Sequence, residues 1–227
     1  MKEVIFNWSG GKDSSLCLYK VLQNNDYAVK CLLTSVSEFQ RISMHGVRIE
    51  LLKQQAEALN LPLDILQLPE MPDMQMYEQV LTKKLTDWKA DGVYTHVFGD
   101  IFLEDLKKYR ENQLATIGCE AVFPLWKQDT LTLVKEFVAL GFKAVIVCCN
   151  ARLLGKEWVG RVIDDSFIND LPDTVDPCGE NGEFHSFVYD GPIFNKPIAF
   201  SLGEKILRTY DTPSADNKFW YIDLLPK

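Results

Sequence analysis

Seven consecutive residues, Ser9-Gly10-Gly11-Lys12-Asp13-Ser14-Ser15, gather the side chains and backbone freedom that anion chemistry needs. Two glycines let the backbone come close to a ligand, the lysine supplies a point charge, and three serines offer hydroxyl donors. Upstream, Val4–Trp8 is a short apolar run of strand type, and residues 13–24 carry the amphipathic spacing of a helix. The seven residues therefore form a strand-to-helix turn. Unpaired N–H groups at a helix start, added to the positive end of its dipole, make a site for phosphate. A plain Gly-Gly turn capped by Asp13 or Ser14 would explain the glycines, but not a lysine and three hydroxyls beside them. The spacing is not that of a Walker A loop, because Gly-x-x-x-x-Gly-Lys is absent. Asp13 reads equally as a helix cap and as a group that holds a metal or steadies the loop.

The elements around this turn alternate. Strand-like runs at Val29–Ser35, Leu63–Leu68, Val93–Phe98, Ala121–Phe123 and Ala144–Cys148 are separated by helical patterns over 47–59, 74–89, 103–117 and 130–140. Unbroken apolar strands joined by helices imply an α/β fold, a doubly wound and mostly parallel sheet with helices on both faces. Ligands of such sheets sit at the carboxyl ends of the strands, where strand order reverses. After Asn150 the alternation stops. A helix-like stretch over 160–171 precedes a Pro/Gly/Asp-rich segment and hairpin-like strands at Phe184–Tyr189 and Trp220–Leu224. The expected organisation is an α/β nucleotide-binding domain over 1–150 and a small α+β substrate-binding region over 151–227, packed across the sheet's ligand edge.

Composition narrows the chemistry further. The chain has 227 residues, 47% hydrophobic and 25% charged, enough for a sizeable core, and a net charge of −8 that argues against an extensive nucleic-acid surface or an anionic membrane. No apolar run approaches the roughly 18 residues that cross a bilayer, and no signal pattern precedes the first strand. Six scattered cysteines without Cys-x-x-Cys read as reduced thiols, so a cytoplasmic protein without structural zinc is expected.

Other candidates fall at element ends. Gly99 and Asp100 follow a strand at its carboxyl end, where ligands bind in this architecture. His45 and Arg48 precede the second helix and face either a ligand or solvent. Residues 160–190 hold eight acids and one arginine, net −7 of the chain's −8. Asp164, Asp165, Asp170 and Asp173 read as a solvated acidic stretch, whereas Glu180 and Glu183 are flanked by glycines in a turn and point to function. Such a region, rich in aromatic rings, could recognise a quaternary ammonium or steer ammonium. His96 reads as a satisfied core histidine, Glu104 and Arg110 as an ordinary exposed helix pair, and Cys148-Cys149 as two side chains on opposite faces of a strand.

Ser9-Gly10-Gly11-Lys12-Asp13-Ser14 resembles the PP-loop of the ATP pyrophosphatases, a HUP-like fold that cleaves ATP to AMP and pyrophosphate. Together with Met44-His45-Gly46-Val47-Arg48, Gly99-Asp100-Ile101 and the run Asp176–Val188 leading into Asp190-Gly191-Pro192, it is similar to the diphthine–ammonia ligase family, with its Gly-Glu-x-Gly-Glu-aromatic signature. The likeness spans Val4 to about Phe194. It implies that ATP, with Mg2+, adenylates the carboxylate of diphthine, a modified histidine of elongation factor 2, and that ammonia then displaces AMP. On this resemblance Lys12, Glu183 and Glu180 are catalytic. Ser9, Gly10, Gly11, Lys12, Asp13, Ser14 and Ser15 bind ATP, and Asp13 takes the metal. His45, Arg48, Gly99, Asp100, Asn181, Gly182 and His185 hold the acceptor. The chain departs from the eukaryotic and archaeal pattern at His185 and Ser186, where those members carry an acid and a threonine, and it is expected to lack the extra C-terminal domains of the longer eukaryotic forms. Diphthamide belongs to eukaryotes and archaea, so a bacterial source would keep the adenylation and change the acceptor. A PP-loop enzyme acting on another small molecule or on tRNA, and a nucleotide-binding protein without chemistry, are the alternatives. Homo-oligomerisation stays open.

Overall fold

The computed structural model describes residues 1–37, 39, 41–42, 46–68, 74–210 and 217–227. The first half alternates as β1 (Lys2–Asn7), α1 (Lys12–Gln23), β2 (Tyr27–Ser37), α2 (Ile49–Leu59), β3 (Leu63–Leu68), α3 (Met74–Ala90), β4 (Thr95–Val97), α4 (Glu104–Thr116) and β5 (Glu120–Val122). The five strands form one parallel sheet in the order β3-β2-β1-β4-β5. Side chains of β1 alternate between its faces. Val4 and Phe6 join Leu16, Leu18 and Leu52 of α1 and α2, while Ile5 joins Leu85 and Leu114 of α3 and α4. Each face is thus covered by two helices, the doubly wound arrangement the alternation implies.

Strand order reverses between β1 and β4. The turn after β1 and the turn after β4 lie side by side at the carboxyl ends, the place where such sheets bind ligands.

The second half adds α5 (Thr130–Ala139), β6 (Lys143–Asn150), α6 (Asp165–Asp170), β7 (Phe184–Asp190), β8 (Phe200–Tyr210) and β9 (Asn217–Pro226). These strands form an antiparallel sheet ordered β7-β6-β9-β8. Its inner face shares one core with α1, α2 and α5, where Phe137 stacks on Phe142 with ring centroids 4.8 Å apart.

Three local expectations are corrected here. The run Ala144–Cys148 does not extend the parallel sheet; it lies in β6, which pairs with β7 and β9, both antiparallel. A continuous apolar run states that both faces are buried, not which sheet buries them. The helix expected over 160–171 shrinks to α6, because residues 161–163 run extended beside β6, where Ile163 N–H donates to Ala144 O at 2.9 Å. Asp164 then starts the helix by accepting the Phe167 N–H at 2.8 Å. The strands at 184–189 and 220–224 are not hairpin partners; β9 turns back on β8, which the sequence pattern did not mark.

Candidate active site

The turn after β1 is built by its own serines and by two elements far away in sequence. Gly11 caps α1 with extended backbone (φ −91°, ψ 178°). Ser14 and Ser15 hydroxyls donate to Gly11 O at 3.0 and 2.9 Å, and Ser9 Oγ donates to Ser14 Oγ at 3.0 Å. Gly10 has φ +76°, and a Cβ there would stand 2.6 Å from Gln55 Oε1, so only glycine fits. Gln55, fully buried on α2, accepts the Trp8 indole N–H at 3.1 Å and donates to Gly10 O at 3.0 Å and Val188 O at 2.6 Å. From β7, Val188 N–H donates to Gly10 O at 2.9 Å and Ser186 Oγ accepts the Lys12 N–H at 3.1 Å. Asp13 and Ser14 lie in the first turn of α1, where backbone N–H groups have no acceptor within the helix.

A cavity of about 530 Å³ opens over this turn, within the range of small-ligand sites. Of the expected residues, Ser9, Gly11, Lys12, Asp13 and Ser14 line it from the turn, and Gly99 and Asp100 line it from the end of β4. Glu180, Asn181, Gly182 and His185 line it from the segment that leads into β7. Gly10 and Ser15 support the turn from behind. Gly99 permits close contact: a Cβ there would be 3.3 Å from the Asp13 backbone.

Lys12 is buried at 3% exposure. Its amine reaches both Asp13 carboxylate oxygens at 2.7 Å, bonds the Cys178 carbonyl and lies 5.5 Å over the Phe184 ring. Burial alone would lower its pKa, but Asp13, with Cys178 and Glu180, outweighs burial and holds the amine above its usual range. Glu180 is also shifted upward, which for a carboxyl favours the neutral form. Burial raises its carboxyl to about 7, with Asp13 and Asp100 adding to the effect, although it accepts the Ile101 N–H at 2.7 Å.

Glu183 is 4% exposed and does not line the cavity. Its Oε1 accepts from Asp176 N and Asn181 Nδ2, both at 3.0 Å. Asp176 in turn accepts from Cys178 N (2.9 Å), Glu180 N (3.2 Å) and Thr130 Oγ1 (2.8 Å). Glu183 and Asp176 thus shape the turn that carries Glu180. Arg48 stands apart from the cavity, with Nε 3.1 Å and Nη2 2.7 Å from the two carboxylate oxygens of Asp223 on β9. His45 lies outside the described residues.

Arg110 belongs to the wall and not to an exposed helix pair. Its Nε is 2.8 Å from Asp100 Oδ2, its Nη2 donates to Oδ1 at 3.2 Å, and its guanidinium lies 4.4 Å over the Phe98 ring. Its former companion Glu104 pairs at the surface with Lys127 at 2.9 Å. Neither Arg110 nor Gln55 carries a local sequence signal, because each acts on a turn brought near only by the sheet. His96 is buried as expected but not satisfied: neither ring nitrogen has a hydrogen-bond partner among the described residues, and burial lowers its pKa to about 4.

All six cysteines are buried free thiols. Among the described residues, no three His, Cys, Asp or Glu side chains converge as a metal site, and no helix is long and apolar enough to cross a membrane.

Comparison with known proteins gives a consistent picture. The sequence model of the diphthamide synthase N-terminal domain matches residues 1–121, and that of the diphthamide synthase C-terminal domain matches residues 129–215. A diphthine–ammonia ligase of Danio rerio is 27% identical over 142 residues, 59% of this chain and 53% of that protein. The Homo sapiens protein of the same name is 26% identical over 115 residues, 48% of this chain and 43% of that protein. The match in Schizosaccharomyces pombe is 27% identical over 95 residues, covering 40% of this chain and 16% of that longer protein. The matched stretch thus spans about half, or less, of these relatives.

Proposed function

The chain belongs to the diphthamide synthase family, and on that footing we propose that it joins ammonia to a carboxylate, converting ATP to AMP and pyrophosphate. The observation that carries this reading is convergence. The Ser9–Ser15 turn, Asp100 at the end of β4 and the Glu180–His185 segment all meet at one cavity.

The chemistry divides between these walls. The triphosphate tail lies against the amides of the first turn of α1, the serine hydroxyls and Lys12. A carboxylate oxygen of the acceptor attacks the α-phosphorus, the bond to the β,γ-pyrophosphate breaks, and the acyl-adenylate forms. Ammonia then attacks the acyl carbon, AMP leaves, and one proton must be removed from nitrogen. Glu180, facing the cavity with its pKa raised to about 7 by burial, is matched to accept that proton near neutral pH. Closure of the cavity by the β7 segment keeps water from the activated acyl group.

The wall is acidic for a phosphate site, since Asp13, Asp100 and Glu180 face it and Lys12 and Arg110 are each paired to one of these acids. A triphosphate therefore needs a cation to accompany it. Mg2+ fits, because it keeps several waters and takes one or two carboxylates plus phosphate oxygens, so no ready-made cluster of ligands is required. Asp13 is the residue that would hold it, and the ion would neutralise charge on the leaving pyrophosphate.

The names of the relatives direct the acceptor reading to diphthine, which the family resemblance implies is carried by elongation factor 2. His185 and Ser186 occupy β7 beside the cavity, and His185 contributes to acceptor binding. Buried thiols without disulfides suit the reducing cytoplasm. Incubation with MgATP, ammonium and diphthine-bearing elongation factor 2 tests the proposal: AMP, pyrophosphate and amide should appear together, and ADP would contradict it.

A further inference from the structure

Gln55 has no place in the chemistry above, yet it bonds two separate parts of the fold, the connection between β1 and α1 and strand β7. It is fully buried on α2, and its carboxamide binds partners of fixed type: an indole N–H, which can only donate, and two backbone carbonyls, which can only accept and take both of its N–H hydrogens. Those carbonyls belong to Gly10, at the bend of the phosphate turn, and to Val188, on β7 of the antiparallel sheet. Gly10 O also accepts the Val188 N–H at 2.9 Å. One turn further, Ser186 Oγ on β7 takes the Lys12 N–H at 3.1 Å.

We propose that Gln55 is a positioning residue whose carboxamide, by binding Gly10 O and Val188 O together, makes the phosphate-binding shape of the 9–15 turn depend on docking of the antiparallel sheet. The inference rests on the reading of that turn as the triphosphate site. Gly10 sits at φ +76° in contact with Gln55, a backbone state with few intrinsic advantages over its alternatives. The turn therefore needs outside contacts to define it, and these come from α2 and β7. Docking of β7 supplies the acceptor for Lys12 N–H and the second carbonyl for Gln55 in the same movement, so the nucleotide site is complete only with both halves of the chain in place.

Gln55→Glu tests this. It keeps shape and the acceptor for Trp8, but removes both hydrogens offered to Gly10 and Val188. MgATP and AMP binding are measured by calorimetry on the full chain, because only MgATP carries the pyrophosphate tail that the turn holds. The variant should bind MgATP about ten-fold or more weakly, the loss expected of two buried hydrogen bonds to a shared partner, with AMP affinity unchanged. Lowering the pH should restore part of the MgATP affinity as the new carboxyl gains a proton to donate. A folded variant with wild-type MgATP affinity, or with both nucleotides weakened equally, would overturn the proposal. If Gln55→Glu does not fold, Ser186→Ala and Ser186→Thr decide: selective loss for MgATP in the first and recovery in the second support it, and no change in the first overturns it. Wild-type protein that does not distinguish MgATP from AMP would instead refute the triphosphate assignment of the turn, and the role of Gln55 with it.

Discussion

Glu180 Oε1 accepts the backbone N–H of Ile101 at 2.7 Å. This bond joins two segments 79 residues apart, the turn after β4 of the parallel sheet and the acidic turn that enters β7 of the antiparallel one. It also fixes the carboxylate against Asp13 and Asp100, and burial there raises its pKa to about 7. The same side chain is therefore a strut between the two sheets and, in the proposed reaction, the proton acceptor in the cavity.

Amide formation should rise with pH through an apparent pKa near 7, as Glu180 loses its proton. Its effect on stability has the opposite sign. The folded-state pKa lies above the unfolded value, so the folded protein binds more protons between about pH 4.5 and 7 and this group's contribution declines as pH climbs through that window. In Glu180→Gln the step near pH 7 should vanish from the rate profile while MgATP still binds; a rate profile that keeps the step would assign it to another group.

Lys12→Met should lower turnover by about 10- to 1,000-fold, the usual loss for one strong contact to developing charge. The amine is buried between Asp13 and the Cys178 carbonyl, so the substitution also leaves Asp13 without its partner. Steady-state release of AMP, with circular dichroism to confirm folding, checks this. Unchanged turnover would remove Lys12 from catalysis.

Gly10→Ala should be destabilised by about 1–3 kcal/mol, the cost of a side chain at a left-handed position, and should lose MgATP binding. The added methyl would press on Gln55 Oε1, 2.6 Å away. Urea denaturation and calorimetry report the two effects separately.

His96 predicts acid sensitivity. Its ring nitrogens are buried without partners among the described residues, and burial lowers its folded pKa to about 4 from 6.5. The unfolded chain then binds the proton more readily, so the stability present above pH 6.5 is lost as pH falls toward 4, about 2 kcal/mol of it by pH 5. Denaturation of wild-type and His96→Leu at pH 7.5 and 5 isolates this contribution; an equal pH dependence in the two proteins would contradict it.

Sequence pattern and structure agree most closely in the first half. The pattern of apolar residues placed β1 to β5 and α1 to α4 within a few residues, since the helices bury one face and the central strands bury both. The strand-to-helix turn at 9–15 was readable because its residues are contiguous. The antiparallel sheet was not. β8 has a largely exposed, mixed pattern with a register shift between Leu202 and Lys205, which blurs alternation. Arg110 and Gln55 were invisible for a related reason. Each is one polar residue on an amphipathic helix, and only tertiary contact with Asp100 or Gly10 gives it meaning. Glu183 had the right glycine-rich setting, but the structure aims Oε1 at Asp176 N–H behind the wall, and only Glu180 reaches the cavity.

Transfer of oxygen tests the central claim most directly. With diphthine-bearing elongation factor 2 labelled with 18O in its carboxylate, and with MgATP and ammonium supplied, an adenylated intermediate passes one labelled oxygen to the phosphate of AMP. The account predicts one labelled AMP for each amide formed by the fully labelled acceptor. Unlabelled AMP, or label appearing in inorganic phosphate beside ADP, would contradict it.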